Sequence, residues 1–198
     1  MFTGIIHHTA TLSALVHTEH ELRITIKTAF ADLLLGESIA VDGVCLTVAE
    51  INGQHAVFVL SAETIACTTA STYAVGQRVH LERALQATDR LGGHWVTGHV
   101  DGMLTVQALT TIGECLRLDL AGPLESVYLV PKGAITLHGV SLTVNSVDSN
   151  SFSVMLIPHT LSCTALANLQ PGQRVNVEWD YLAKLVHNHM RIYTNGNQ

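Results

Sequence analysis

The sequence predicts an all-β protein: two tandem units of short antiparallel strands, followed by one C-terminal helix. Three observations predict it. The stretch Gly36-Glu-Ser-Ile-Ala-Val-Asp-Gly-Val-Cys-Leu-Thr-Val returns from Lys132 as Lys-Gly-Ala-Ile-Thr-Leu-His-Gly-Val-Ser-Leu-Thr-Val. Apolar and polar residues alternate with period two through most of each copy. The period becomes helical only after Asp180.

The repeat keeps one offset over most of its length. Asp42 and His138, Cys45 and Ser141, Thr47 and Thr143, and Cys67 and Cys163 all stand 96 positions apart. Gly76-Gln-Arg-Val79 is identical to Gly172-Gln-Arg-Val175, and His80-Leu-Glu82 lies over Asn176-Val-Glu178. Near the start the offset is 94, where Thr3-Gly4 meets Thr97-Gly98. A short loop indel accounts for that slip. The period is too long for a solenoid repeat, so two domains of about 90 residues are expected.

Each element has a local reason. In Glu21 to Lys27, Leu22, Ile24 and Ile26 share one face with charge on the other, the pattern of a half-buried antiparallel strand. Ser38 to Val41 and Val44 to Ile51 flank Asp42-Gly43, a dipeptide that accepts the positive φ angles of a tight hairpin. Asn52-Gly53 repeats that chemistry before the strand Ala56 to Leu60. Thr64 to Ser71 reads as a short helix or irregular segment, and Arg78 to Arg83 closes the unit. The second copy predicts strands at Cys115 to Leu120, Ala134 to Leu137, Val140 to Val147, Phe152 to Ile157 and Arg174 to Trp179. Such spacing suits a small barrel or sandwich, and closure removes exposed edges. In the last segment Tyr181, Leu182, Leu185, Val186 and His189 form an apolar helical face, with Lys184 and Arg191 outside. A helix found in one repeat only either joins subunits or docks on its own barrel. The tail from Thr194 is expected to fray. The expected divisions are 1–93, 94–180 and 181–198.

Composition excludes several classes. Of 198 residues, 47% are hydrophobic and 13% charged, enough for two cores and contrary to disorder. No apolar run is long enough for a membrane helix. The opening residues lack the basic and apolar regions of a signal peptide. A formal charge of −6 argues against a phosphate-backbone partner. A nucleic-acid-binding tandem barrel would need a basic groove with aromatic platforms, and aromatics are 5%. The four cysteines form no CxxC pair, so no zinc site is read. A reduced, cytoplasmic protein is expected.

The junction reads Arg90-Leu-Gly-Gly-His-Trp-Val-Thr-Gly-His-Val-Asp-Gly102. Gly92-Gly93 permits a sharp turn or close backbone approach. Together with Met1-Phe-Thr-Gly-Ile-Ile, the two Gly-Val-(Cys/Ser)-Leu-Thr-Val blocks and Leu156-Ile-Pro-His-Thr, this junction resembles riboflavin synthase of the alpha type. The resemblance runs from Met1 to about Lys184, in five blocks of matching order. It implies two six-stranded antiparallel Greek-key barrels and a C-terminal helix that holds a homotrimer. It also implies dismutation of two 6,7-dimethyl-8-ribityllumazine molecules into riboflavin and 5-amino-6-(D-ribitylamino)uracil. No metal or organic cofactor is implied. Active sites would form between subunits, and lumazine synthase is a further partner that the resemblance admits. The rival of the same fold is a lumazine- or flavin-binding antenna protein without turnover. Retention of both His94 and His99 favours the enzyme.

By position in the motifs, Gly4, Ile5 and Ile6, with Cys45, Leu46 and Thr47 and with Val59, Leu60, Ser61, Ala62, Glu63 and Thr64, would line the first pocket. Gly98, His99 and Val100, Lys132, Ser141, Leu142 and Thr143, and Met155, Leu156, Ile157, Pro158, His159 and Thr160 would line the second. A flat heterocycle needs polar groups at its rim and apolar faces above and below. The reaction needs a base for the lumazine 7-methyl group, and His99 is the candidate because imidazole titrates near neutrality. It also needs a nucleophile or activated water at C7 of the second molecule, for which Cys45 and Ser38 are candidates. The ordinary reading of a lone His is a structural hydrogen bond, and of a free Cys a small buried residue. His138 stands where the family usually has Asp, placed with the neighbouring Ser141 at the reaction centre. It therefore enters the candidates with its charge changed. His7 and His8 are read as surface residues.

Overall fold

A computed structural model describes residues 1–122 and 126–195. The first barrel is built of β1 (His8–His17), β2 (Glu21–Lys27), β3 (Ser38–Val41), β4 (Val44–Asn52), β5 (His55–Ser61) and β6 (Arg78–Arg83). The second is built of β7 (Gly102–Ile112), β8 (Cys115–Ala121), β9 (Ala134–Leu137), β10 (Val140–Val147), β11 (Ser151–Leu156) and β12 (Arg174–Trp179). Each closes on itself. The orders, β1-β2-β5-β4-β3-β6 and β7-β8-β11-β10-β9-β12, are the same. All pairings are antiparallel. Short helices α1 (Ala62–Cys67) and α2 (Pro158–Cys163) follow β5 and β11, and α3 (Tyr181–Asn195) is the last element among the described residues. No helix among the described residues is long and apolar enough to cross a membrane.

Alternation explains the cores. Leu22, Ile24, Ile26, Leu46, Val48, Phe58 and Leu60 fill the first barrel, and Leu118, Leu120, Leu142, Val144, Phe152, Val154 and Leu156 fill the second. Strands β1 and β7, which the alternation does not predict, carry bulges between Leu12 and Ala14 and between Val106 and Ala108, as β4 does between Val48 and Glu50 and β10 between Val144 and Ser146. A bulge moves following side chains to the opposite face and breaks the pattern.

The barrels meet turn against turn. Asp42 and Gly43 have φ of 46° and 82°, and His138 and Gly139 have 46° and 80°, the geometry of a type I′ hairpin turn. A Cβ on Gly43 would lie 2.6 Å from the Gly139 nitrogen, so neither glycine tolerates a side chain. Two side chains staple this contact symmetrically. Asn176 accepts from the Thr69 N–H (2.8 Å) and donates to the Asp42 carbonyl (2.9 Å). Its repeat counterpart His80 accepts at Nε2 from the Ala165 N–H (2.7 Å) and so donates from Nδ1 to the His138 carbonyl (2.8 Å). Asp42 is buried and accepts from the His80 N–H and the Tyr73 hydroxyl.

Helix α3 lies the other way round from its sequence pattern. Lys184, expected outside, is turned inward and ion-paired to Asp101 at 2.8 Å. Leu182, Leu185, Val186, Met190 and Ile192 are 48–63% exposed. Regular helix continues through Thr194 and Asn195, and the rest of the expected frayed tail, 196–198, lies outside the described residues.

Candidate active site on the two barrel walls

Two buried glutamates at repeat-equivalent positions position the loops of the site. Glu82 of β6 accepts from the Thr3 N–H and hydroxyl, both at 2.7 Å, and from the Gly4 N–H at 3.0 Å. Glu178 of β12 holds Thr97 and Gly98 in the same way, at 2.7, 2.7 and 2.9 Å. Burial pushes both carboxyls above their ordinary value, against the pull of these donors.

Each held segment then crosses to the other barrel. The Gly4 carbonyl accepts from the Ser141 N–H of β10 at 2.8 Å, and the Gly98 carbonyl from the Cys45 N–H of β4 at 2.8 Å. A Cβ on Gly4 would be 2.6 Å from the Ser141 Cβ, and one on Gly98 would be 2.6 Å from the Cys45 Cβ. Ile6 packs on the second core and Val100 on the first. Phe2 and Val96, both fully buried, pair as an isolated bridge between the crossing segments. This corrects the expected grouping. Gly4, Ile5 and Ile6 join Ser141 on the second wall, while Gly98, His99 and Val100 join Cys45 on the first. The repeat offset identifies equivalent positions but carries no record of which barrel a segment lies across.

Strand alternation sorts the remaining candidates. On the first wall, Cys45, Thr47, Val59 and Ser61 lie outside the core, whereas Leu46 and Leu60 are buried in it. On the second, Ser141, Thr143, Met155 and Ile157 lie outside and Leu142 and Leu156 are buried in the core. Those four leucines therefore offer a ligand only their backbone. Ser38 is paired with Thr47 across β3 and β4. Ser61 caps α1 by accepting from the Thr64 N–H at 3.2 Å, and its hydroxyl also meets that of Thr64. Ala62 and Glu63 form the first turn of α1, as Pro158, His159 and Thr160 do of α2. Lys132 takes a left-handed φ of 69°, where its counterpart Gly36 has 82°. His138 belongs to the inter-barrel turn and is partly buried.

The two walls differ chemically. His99 is exposed, and its counterpart Ile5 is 47% exposed. Ser141 is hydrogen-bonded to His94 Nδ1 at 2.7 Å, and His94 Nε2 meets the Thr136 hydroxyl at 3.0 Å. Burial pushes His94 below its ordinary 6.5, opposed by Asp180, so its imidazole is neutral at pH 7. With its proton on Nε2, His94 can take a proton from Ser141. The first wall has Cys45 and Ala40 in place of Ser141 and Thr136, so it lacks this relay. Gly93 makes the arrangement possible, since a Cβ there would lie 2.1 Å from the Thr3 carbonyl oxygen and 2.9 Å from Ser141 Oγ. His94 is not among the catalytic residues the sequence predicts. An offset of 94 would put its counterpart ahead of Met1, so the repeat could not flag it.

Comparison with known proteins agrees with this architecture. The lumazine-binding domain family matches residues 3–84 and 97–180. Riboflavin synthase of Photobacterium phosphoreum is 39% identical over 190 residues, 94% of this chain and 87% of that one. Riboflavin synthase of Bacillus subtilis strain 168 is 37% identical over 190 residues, covering 94% and 88%. The LumP structure solved with riboflavin has a TM-score of 0.83 at 26% identity, covering 90% of this chain and 99% of that one. LumP with 6,7-dimethyl-8-(1'-D-ribityl)lumazine has a TM-score of 0.82 at 24% identity and shares the fold. The chain belongs to the riboflavin synthase family, with two copies of the lumazine-binding domain.

Proposed function

We propose that this protein makes riboflavin by dismutating two 6,7-dimethyl-8-ribityllumazine molecules, with 5-amino-6-(D-ribitylamino)uracil as the second product. The observation that carries the reading is the pair of equivalent but chemically distinct walls. The reaction joins two copies of one molecule, and two related sites held face to face turn a bimolecular step into an effectively unimolecular one. One lumazine loses a proton from its 7-methyl group, leaving a carbanion delocalised into the ring. The other takes an addition at C7, and a four-carbon unit moves between them. His99 acts as the base on the Cys45 wall. Ser141, with its proton drawn by His94, supplies or positions the nucleophile on the other. Cys45 or Ser38 on the first wall is the alternative that supplies or positions the nucleophile, and Glu63, Lys132 and Thr160 serve the ribityl chain. The division is 1–93 and 94–180 for the two lumazine-binding domains, with 181–198 as the assembly element.

The assembly is a homotrimer whose sites form between the first barrel of one subunit and the second barrel of the next. Supporting this, Leu182, Leu185, Val186, Met190 and Ile192 of α3 are solvent-exposed, as are Val127 and Val130, at 55% and 58%. A cytoplasmic location agrees with its four free cysteines.

The test is an absorbance and fluorescence time course of the purified protein with 6,7-dimethyl-8-ribityllumazine alone. Riboflavin should appear with one ribitylaminouracil for each riboflavin. A change in lumazine fluorescence without riboflavin would instead mark an antenna protein.

A further inference from the structure

We infer that the groove between the two barrels is a second binding site, for a small polyanion of the diphosphate class. The groove encloses about 780 Å³, within the range of small-molecule sites. Its lining draws on both repeats. Arg78 and Arg174, Gln77 and Gln173, and Thr72 and Asn168 line it as counterpart pairs. One guanidinium therefore enters from each barrel. That arrangement suits an anion with two charged ends rather than a single point charge. A guanidinium fork matches phosphate oxygens two at a time.

Two further observations point to an occupant. Thr69 Oγ1, at the groove, is fully withdrawn from solvent and has no hydrogen-bond partner among the described residues. Buried hydroxyls are ordinarily paired, and a rotation of the Thr69 side chain toward the groove would let an occupant supply the partner. The Arg174 guanidinium likewise makes no hydrogen bond or ion pair among the described residues. Arg78 holds only the Thr9 hydroxyl. No carboxylate lines the groove, in a chain of net charge −6. Asp42, in the turn beneath, is committed to His80 and Tyr73. Glu19 and Glu21 line an adjoining hollow that shares Met103 and Arg174, but neither pairs with Arg174. Local positive charge inside a negative chain focuses on anions.

Calorimetric titration of the assembled protein with inorganic pyrophosphate tests the inference. One pyrophosphate should bind per chain. Arg174→Ala should weaken binding by at least about tenfold, as loss of charge-assisted hydrogen bonds does. The double variant Arg78→Ala/Arg174→Ala should abolish it, and Arg174→Lys should retain part. Tighter binding of ADP than of pyrophosphate would assign a nucleotide, and equal binding a free diphosphate. Absence of pyrophosphate binding would overturn the site, as would unchanged binding in the double variant or equal affinity for orthophosphate. Both arginines are exposed, so unchanged melting temperatures should show the variants folded. Lumazine turnover of the double variant should match that of the parent, which keeps this test independent of the synthase reaction.

Discussion

His138 stands with φ of 46° in a turn pressed against another turn. Left-handed backbone favours Gly, Asn and Asp, with His tolerated among non-glycine residues. Burial pushes its imidazole below the ordinary 6.5; the Asp42 carboxylate opposes this and His80 adds to it. A base whose pKa is lower in the fold than in the unfolded chain binds fewer protons when folded. Its contribution to stability is therefore complete above about 6.5 and is lost as pH falls toward the depressed value. His138→Asn keeps the backbone preference and removes the titration. Melting temperature should then decline less steeply from pH 7 to pH 5 than in the parent. Some decline should remain, because burial also depresses His7, His8 and His94. Identical slopes would remove His138 from this role. At this scale the sequence was partly legible. Outward-facing Cys45, Thr47, Ser141 and Thr143 follow from period two, as does the hairpin at Asp42-Gly43. The place of His138 did not follow, because a turn's partner is a long-range fact.

The crossing segments are the element on which the site depends. Glu178 belongs to the second barrel yet holds Gly98, whose carbonyl covers Cys45 of the first. Glu178→Gln retains the shape but presents an amide donor to one of the two N–H groups now served by carboxylate oxygens. Losing hydrogen bonds to a charged acceptor costs about 1.5–3 kcal/mol, and the Gly98 segment should loosen. Alkylation of Cys45, followed by mass spectrometry, should become several-fold faster. Glu82→Gln loosens the Gly4 segment over Ser141 instead, and should leave Cys45 unchanged. Equal rates in the two variants would mean that the crossing does not govern the site. The shared glutamate at one offset in a strand was the available sequence signal. Reading it required knowing that both positions are buried, and β6 and β12 are buried at consecutive residues, on both faces, which period two does not predict.

At the scale of the molecule, duplication gives two walls on one chain, and the proposed reaction needs unlike walls to meet. The pseudo-two-fold contact at Gly43 and Gly139 joins the barrels turn to turn, which fixes their relation but leaves both walls open to solvent. In the proposed homotrimer, helix α3 is the element that brings further copies together. Its pattern was legible as amphipathic, but its direction was not. The Lys184–Asp101 pair holds one side to the second barrel, and Leu185 and Val186, 48% and 61% exposed, face away. A stable interface removes roughly 1,200–2,000 Å² of surface, and charge placed at its apolar centre costs far more than at a rim. Leu185→Glu/Val186→Glu should therefore sediment as a single chain where the parent sediments as three. Each barrel's fold lies outside this change, so the melting curve of the monomer should remain cooperative and lumazine should still alter its fluorescence on binding. Riboflavin formation should fall by orders of magnitude at low protein concentration. A monomeric variant with full turnover would show that the two walls act within one chain, and the site would then have to be sought between the segments that cross from barrel to barrel.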